Sequence, residues 1–289
     1  MIDFFTEPWQ HVFMQRAFLV VLMSGVVCGV IGSHVALRGM AFIGDAVAHA
    51  VFPGIAISFV LHTSLVLGGV VAGLLTALSI AVVSQNRRLK EDTVIGVFFA
   101  AAFGLGIVVM STAPGYGGSL ESFLFGSVLG ISSQDVITVG IAGAVLLLIT
   151  GGLHKEFVTV GLDRETARAV GLPIFWLDMA LYAMVTLAIV ISIQAVGNIL
   201  VLALLITPAA CARLLTDRIG VMMLIAPVIG ALSGLVGLYL SYAFNLAAGG
   251  LIVLTATAVF VVCWLFAPRH GLVPNHRRVT ATAAVPVRP

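Results

Sequence analysis

An aspartate and a histidine stand four residues apart in a very apolar stretch of the chain, FIGDAVAHAVFPG, residues 42–54. Residues at this spacing share one face of an α-helix, so Asp45 and His49 would present an oxygen and a nitrogen to one point. A carboxylate deep in a membrane costs about 2.5–3.5 kcal/mol on insertion scales. The pair therefore needs a compensating partner, and a divalent first-row metal ion accepts both ligand types.

Two other interpretations of the pair stay open. Asp45 and His49 could relay protons or act as a gate, or they could form a hydrogen-bonded pair between packed helices. Metal ligation is favoured because a lone structural aspartate is hard to accommodate deep in a membrane. One protomer offers two good ligands, whereas divalent metals take four to six. A two-fold homodimer with its pathway on the axis would bring two Asp and two His together.

The composition identifies the elements that must position these residues. Of the 289 residues, 61% are hydrophobic and only 9% are charged, with a mean hydropathy of +1.18. Soluble domains carry about a quarter charged residues. Apolar runs of about twenty residues recur along the chain, each long enough to cross a bilayer as a helix. We expect an all-α polytopic membrane protein, with residues 1–268 as one transmembrane domain and 269–289 as a disordered cytoplasmic tail attracted to anionic lipids.

Nine spans are predicted, or eight if the sixth and seventh form one broken helix. All 14 Lys and Arg residues except Arg16 fall in alternate connections or in the C-terminal tail. Positive residues stay on the cytoplasmic side, which places the N-terminus outside and the C-terminus inside. The predicted spans cover residues 17–37, 41–61, 64–84, 93–113, 133–153, 174–195, 197–215, 219–242 and 249–267.

The longest external connection, residues 112–134, is rich in glycine and contains an apolar ten-residue segment too short to span. We expect a half-helix that lines a cavity, with an amphipathic surface loop as the alternative. Glu121 in this connection is a candidate gate residue, although a solvated carboxylate is the simpler interpretation. His34, one turn before Arg38, is expected to be an interfacial histidine near the cytoplasmic face, with a role in metal release as the alternative.

A short cytoplasmic helix is predicted between the fifth and sixth spans, at residues 163–171. Asp163 can cap its first turn, and Glu165 there suits the helix dipole. Gly171 would stop the helix, with Pro173 just beyond. Such a short helix is not stable alone in water, so it must dock on the membrane, on its own spans or on a cytoplasmic subunit.

Several function classes are excluded or disfavoured by the sequence. No Gly-Lys dipeptide occurs, so a phosphate-binding GxxxxGK[ST] loop is absent and any ATP hydrolysis must reside on another chain. No Ser-His-Asp or HExxH arrangement suggests hydrolysis, so we expect a transport subunit and not an enzyme. Neither a permanently bound cofactor nor a nucleic-acid partner is expected.

Four stretches resemble the permease subunits of bacterial ABC importers for zinc, manganese and iron, the ABC-3 family. They are LRGMAFIGDAVAHAVFPGIAIS (37–58), EDTVIGVFFAAAFGLGI (91–107), LDRETARAVGLP (162–173) and SIQAVGNILVLALLITPAACARLLTDR (192–218). The resemblance implies a homodimeric permease of the cell membrane, similar in plan to cobalamin and siderophore importers. An ATPase dimer would lie below it, and an extracytoplasmic metal-binding protein would deliver cargo from above.

The resemblance also implies roles for individual residues. Asp45 and His49 match the family's intramembrane metal site for a transported Mn²⁺ or Zn²⁺. The helix at 163–171 becomes the contact with the ATPase. A ferrous-iron or siderophore permease is the runner-up, and a proton-coupled secondary carrier using Asp45 and His49 as a relay is the alternative from another class. The ATPase-contact residues are Asp163, Arg164, Glu165, Arg168 and Gly171.

Overall fold

The computed structural model describes residues 7–40, 42–85, 89, 91–111 and 130–267, and within these ranges it contains helices and no strands. We number the helices of six residues or more α1 to α11. They are α1 (Val12–Leu37), α2 (Ile43–Val60), α3 (Leu65–Val83), α4 (Glu91–Ser111), α5 (Ser133–Gly152), α6 (His154–Leu162), α7 (Arg164–Ala169), α8 (Ile174–Val196), α9 (Asn198–Leu215), α10 (Ile219–Phe244) and α11 (Ala248–Phe266).

All nine predicted spans are present as helices, with ends within a few residues of those expected. Eight are long and apolar enough to cross a membrane, and the apolar part of α9, Leu200–Leu215, is shorter. The largest difference is the start of α1, which begins at Val12 and not at residue 17. Its early residues have partners there: the Arg16 guanidinium donates to the carbonyl oxygen of Ile131 at 3.4 Å.

The boundary between the sixth and seventh spans is one residue, Gly197, at φ +85°. Helix α8 begins beside Arg38, because Asp178 bonds that arginine. Helix α9 ends beside the same connection, because Arg213 and Gly39 line one cavity. The chain therefore reverses at Gly197, and α8 and α9 run in opposite directions as two separate helices.

The charged connections meet at one end of the helix bundle, which we call the charged end. Arg38 and Arg164 both contact Asp178 there, and Arg38, Asp92 and Arg164 line a cavity of about 370 Å³. These residues come from three of the connections that the charge pattern placed on one side. The alternation predicted from sequence is thus reproduced by the fold.

Helices α1, α2 and α8 form the buried centre, while α4 and α11 are largely exposed on the periphery. Helix α1 packs backbone to backbone against α9 and α10 through Gly25, Gly29 and Gly32. A methyl group placed on Gly32 would lie 2.0 Å from the carbonyl oxygen of Leu205, and one on Gly29 would lie 2.6 Å from the backbone nitrogen of Pro227. Small residues at such interfaces let helices in membranes approach closely.

Candidate metal pathway

Asp45 and His49 lie on one face of α2, as the four-residue spacing predicts. The Nε2 atom of His49 is 3.5 Å from Oδ1 of Asp45. Asp45 occupies the first turn of α2, where the positive end of the helix dipole stabilises a carboxylate. The helix itself therefore lowers part of the cost of placing this charge in an apolar segment.

Helix α2 begins inside the bundle. A methyl group added to Gly44, next to Asp45, would meet the side chains of Leu205 and Leu202 on α9 at 2.8 and 3.3 Å. These leucines lie about two to three helical turns before Arg213, which is at the charged end. The start of α2 thus packs beside the middle of α9, while Asp45 stays close to the charged end, because Asp92 lines a cavity with it.

Two phenylalanines of α4 fix the His49 ring. Phe99 and Phe103 are parallel to each other, and each meets the imidazole nearly at right angles, with ring centroids 5.0 and 5.1 Å away. Edge-to-face contacts of this kind stabilise a defined ring orientation. This contact could not be identified from sequence, because Phe99 and Phe103 lie on another helix in an ordinary apolar pattern.

The pair faces outward from the protomer and not into its centre. The side chains of Asp45 and His49 are 38% and 22% exposed. Asp45 lines a cavity of about 410 Å³ together with Phe42, Asp92 and Phe99. Within the described residues, no group of three or more His, Cys, Asp or Glu side chains is arranged to hold a metal ion. One protomer therefore contributes two metal ligands here, and a bound cation needs further ligands from water or another chain.

The short helix predicted at 163–171 is present as α7. The Asp163 carboxylate accepts from the backbone N–H of Glu165 at 2.9 Å and from the Thr166 hydroxyl. The hydrogen bond from the Thr166 hydroxyl, followed by those from the backbone N–H groups of Thr166 and Glu165, lowers the pKa of Asp163 below its usual value. Gly171 follows the helix at φ +80°, as expected for a helix stop.

The charged side chains of α7 point in two directions. Glu165 and Arg168 pair with each other at 3.2 Å on the outer face, where both are at least half exposed. Arg164 turns inward, and its Nη2 donates to Oδ2 of Asp178 on α8. Helix α7 therefore exposes an ion pair on its outer face, while its first residue is bonded to the helix bundle.

Residues 10–267 match the profile of the ABC 3 transport family. The chain belongs to this family. The manganese transport system membrane protein MntC of Halalkalibacterium halodurans is 40% identical over 276 residues, which cover 95% of this chain and 94% of that one. A Haemophilus influenzae protein named as a probable iron transport system membrane protein is 34% identical, covering 96% and 98% of the two chains.

A solved structure agrees with this assignment. PsaBC from Streptococcus pneumoniae, in complex with Fab, matches with a TM-score of 0.83 at 34% identity, covering 98% of this chain and 100% of that one. This ABC 3 protein is thus a multi-pass permease subunit of an ABC importer in the cell membrane, and not an enzyme. Membership implies an ATPase and a substrate-binding protein as partners.

The structure of this ABC 3 permease also corrects one expectation. His34 lies one turn before Arg38 near the charged end, but it is not exposed at an interface, because it is 1% exposed and lies against the His154 and Phe157 rings of α6, each with its centroid 5.5 Å away. Helix α6 was not predicted, and it covers the site that solvent or headgroups were expected to reach. Glu121, the predicted half-helix up to residue 129 and the tail at 269–289 lie outside the described residues.

The charged residue that sequence reasoning missed in the ABC 3 permease is Asp178. It lies inside an apolar span, IFWLDMALYAM, and is 1% exposed. An acidic residue in such a run was itself a signal, since buried carboxylates need partners. Its partners could not be identified from sequence, because Arg38 lies 140 residues away along the chain.

Proposed function

We propose that this permease carries Mn²⁺ inward and that Asp45 and His49 bind the ion on its way. The observation that carries the proposal is the 3.5 Å pair on α2, partly exposed and next to a cavity. Oxygen and nitrogen ligands suit Mn²⁺, Fe²⁺ and Zn²⁺ alike. The names of the relatives, which include manganese and iron transport proteins, favour Mn²⁺ first and Fe²⁺ second.

The remaining ligands would come from a second copy of the chain. Two copies related by a two-fold axis would supply two carboxylates and two imidazoles, and the two carboxylates would neutralise a divalent cation. The outward orientation of the pair supports this arrangement, because a carboxylate facing lipid is costly. Glu121 stays a predicted gate on the external side.

Helix α7 would be the contact with the ATPase. Asp163 and Gly171 define its two ends, and the exposed Glu165–Arg168 pair would meet the subunit. Arg164 would connect the helix to the permease. ATP hydrolysis on the separate subunit would then drive the rearrangement that releases the ion inward.

The test is metal uptake by the complete complex in liposomes, with its ATPase and binding protein present. We compare wild type with Asp45→Asn, His49→Gln and the double variant, and use Asp135→Asn as the matched control. Asp135 caps α5 within a capping box with Ser132, far along the chain from the pair. We expect Mn²⁺ uptake in the Asp45 and His49 variants to fall to the level of vesicles without permease, and the control to transport normally.

Two results would contradict this assignment. Normal Mn²⁺ uptake by the double variant would remove the pair from the pathway, and uptake restricted to Zn²⁺ would refute the metal identity while leaving the site in place. A separate uptake measurement tests the alternative of a secondary carrier. Uptake by the permease alone, driven by a pH gradient without ATPase, would favour a proton relay by Asp45 and His49.

A further inference from the structure

One buried carboxylate joins three separate parts of the chain at the charged end. Asp178, on α8, accepts from Nη1 of Arg38 at 2.6 Å with one oxygen and from Arg164 with the other. Arg38 directly follows α1, and Arg164 is the first residue of α7. Asp178 and Arg38 have side chains only 2% and 4% exposed, whereas Arg164 is 37% exposed.

This cluster is not an efficient way to hold helices together. Removing a carboxylate and a guanidinium from water costs several kcal/mol per ion, and an apolar contact of similar volume often stabilises a fold as well or better. The Arg38 side chain is also incompletely satisfied, since its Nε and Nη2 atoms are buried without a hydrogen-bond partner among the described residues. A role beyond packing would account for retaining these charges.

The cluster lies directly before the helix that carries the metal ligands. From Arg38 the chain passes through Met40, which is 1% exposed, to the start of α2 at Ile43. Helix α8 makes a second contact with this connection. The Tyr182 hydroxyl, one turn after Asp178, lies 3.6 Å from the Met40 sulfur. Asp178 and Tyr182 thus fix both ends of a three-residue segment that leads to Asp45.

On the other side, the cluster reaches the proposed ATPase contact. Helix α7 is short, and besides the Arg164–Asp178 ion pair it has one buried side chain, Ala167. A displacement of α7 would pull on Arg164 first. Because Asp178 bonds both arginines, that displacement would pass to Arg38 and from there to the start of α2.

We propose that Asp178 is a positioning residue that transmits movement of α7 to the metal-binding helix α2 through Arg164 and Arg38. The inference rests on the proposed function, in which α7 meets the ATPase and α2 binds the ion. It predicts that cutting the link separates ATP hydrolysis from transport, while metal binding by Asp45 and His49 stays intact.

The experiment measures metal transported per ATP hydrolysed in the reconstituted complex. The variants are Asp178→Asn, Arg164→Gln, the double variant and Arg164→Lys, with Asp135→Asn as the control. Asp178→Asn keeps the shape of the side chain and removes its charge. Arg164→Gln leaves the buried Arg38–Asp178 pair in place and cuts only the link to α7. The core of the variant should therefore fold as in wild type.

We expect the Mn²⁺-to-ATP ratio to fall about tenfold or more in both single variants, equivalent to about 1.4 kcal/mol of lost coupling. The double variant should be no worse than either single one, because both changes break the same link. Arg164→Lys should recover part of the ratio. Mn²⁺ binding by the detergent-solubilised permease, measured calorimetrically, should match wild type in every variant, which a general loss of structure would not allow.

An unchanged ratio in Arg164→Gln overturns the inference, whatever Asp178→Asn does. Additive losses in the double variant overturn it as well. Failure of the proposed function would look different: wild type itself would transport no Mn²⁺, or the Asp45 and His49 variants would bind and transport it normally.

Discussion

Asp163 shows how a single side chain can order a short helix. Helix α7 has six residues, too few to be stable alone, and its first turn has backbone N–H groups without intrahelical acceptors. The Asp163 carboxylate accepts from one of these groups and from the Thr166 hydroxyl. The exposed Glu165–Arg168 pair contributes little by itself, since surface ion pairs are weak. The cap therefore carries much of the local order of α7.

We expect Asp163→Ala to weaken association of the ATPase subunit with the permease, and Asp163→Asn to leave it nearly unchanged, because asparagine is also a good N-cap. The lowered pKa of Asp163 means that its contribution is complete near neutral pH and is lost as the pH falls through that lowered value. Titration of a fluorescently labelled ATPase subunit against the permease in micelles measures the association of each variant and its dependence on pH. Equal weakening in the two variants would show that the cap is not the cause.

The Asp45–His49 pair was predictable from sequence and the Asp178 cluster was not, for one physical reason. The first depends on helix periodicity, which relates residues four apart whatever surrounds them. The second depends on which helices become neighbours, and that places Arg38, Arg164 and Asp178 together across up to 140 residues. The phenylalanine contacts of His49 also depend on which helices become neighbours, because α4 supplies them.

At the scale of elements, α1 and α9 approach each other closely at Gly32. A methyl group there would lie 2.0 Å from the Leu205 carbonyl oxygen, a backbone atom that cannot rotate away. By contrast, a methyl group on Gly151 of α5 would meet nothing within 4 Å. An alanine at position 32 should therefore disturb the packing of the bundle, whereas an alanine at position 151 should not.

We expect Gly32→Ala to destabilise the permease by about 1–3 kcal/mol, the usual cost of overpacking, and Gly151→Ala to have little effect. Thermal unfolding in detergent, followed by tryptophan fluorescence or aggregation, provides the measurement. Equal stability of the two variants would mean that α1 and α9 do not approach this closely. The helix boundaries were predictable from apolar length, but this contact was not, because it depends on which glycines face another backbone.

At the scale of the molecule, the outward orientation of the candidate site implies a covered face. Asp45 and Phe42 line the same cavity, and Phe42 is 62% exposed in the protomer. Lipid offers a carboxylate no hydrogen bond, whereas a second copy offers the same ligands again. A two-fold interface is self-complementary, so a residue near its axis lies close to its own counterpart.

We expect Phe42→Cys, in a chain whose natural cysteines Cys28, Cys211 and Cys263 are replaced by serine, to be linked into dimers by a short thiol-specific crosslinker in native membranes. Leu148→Cys is the control, since Leu148 is 75% exposed on α5. Electrophoresis without reductant distinguishes them. Dimers from Leu148→Cys and monomers from Phe42→Cys would place the interface elsewhere and leave the site with two protein ligands.

The glycine contacts of α1 also limit how the permease can move. Because α1 touches α9 and α10 backbone to backbone, these three helices cannot slide past one another without losing their packing, and must rotate as a rigid body. Gly39, just after α1, has a φ of +70° and open space where a side chain would be. The segment that contains Gly39 is held at both ends by Asp178 and Tyr182 of α8, so alternating access would move α2 together with α8 against a block that keeps its shape.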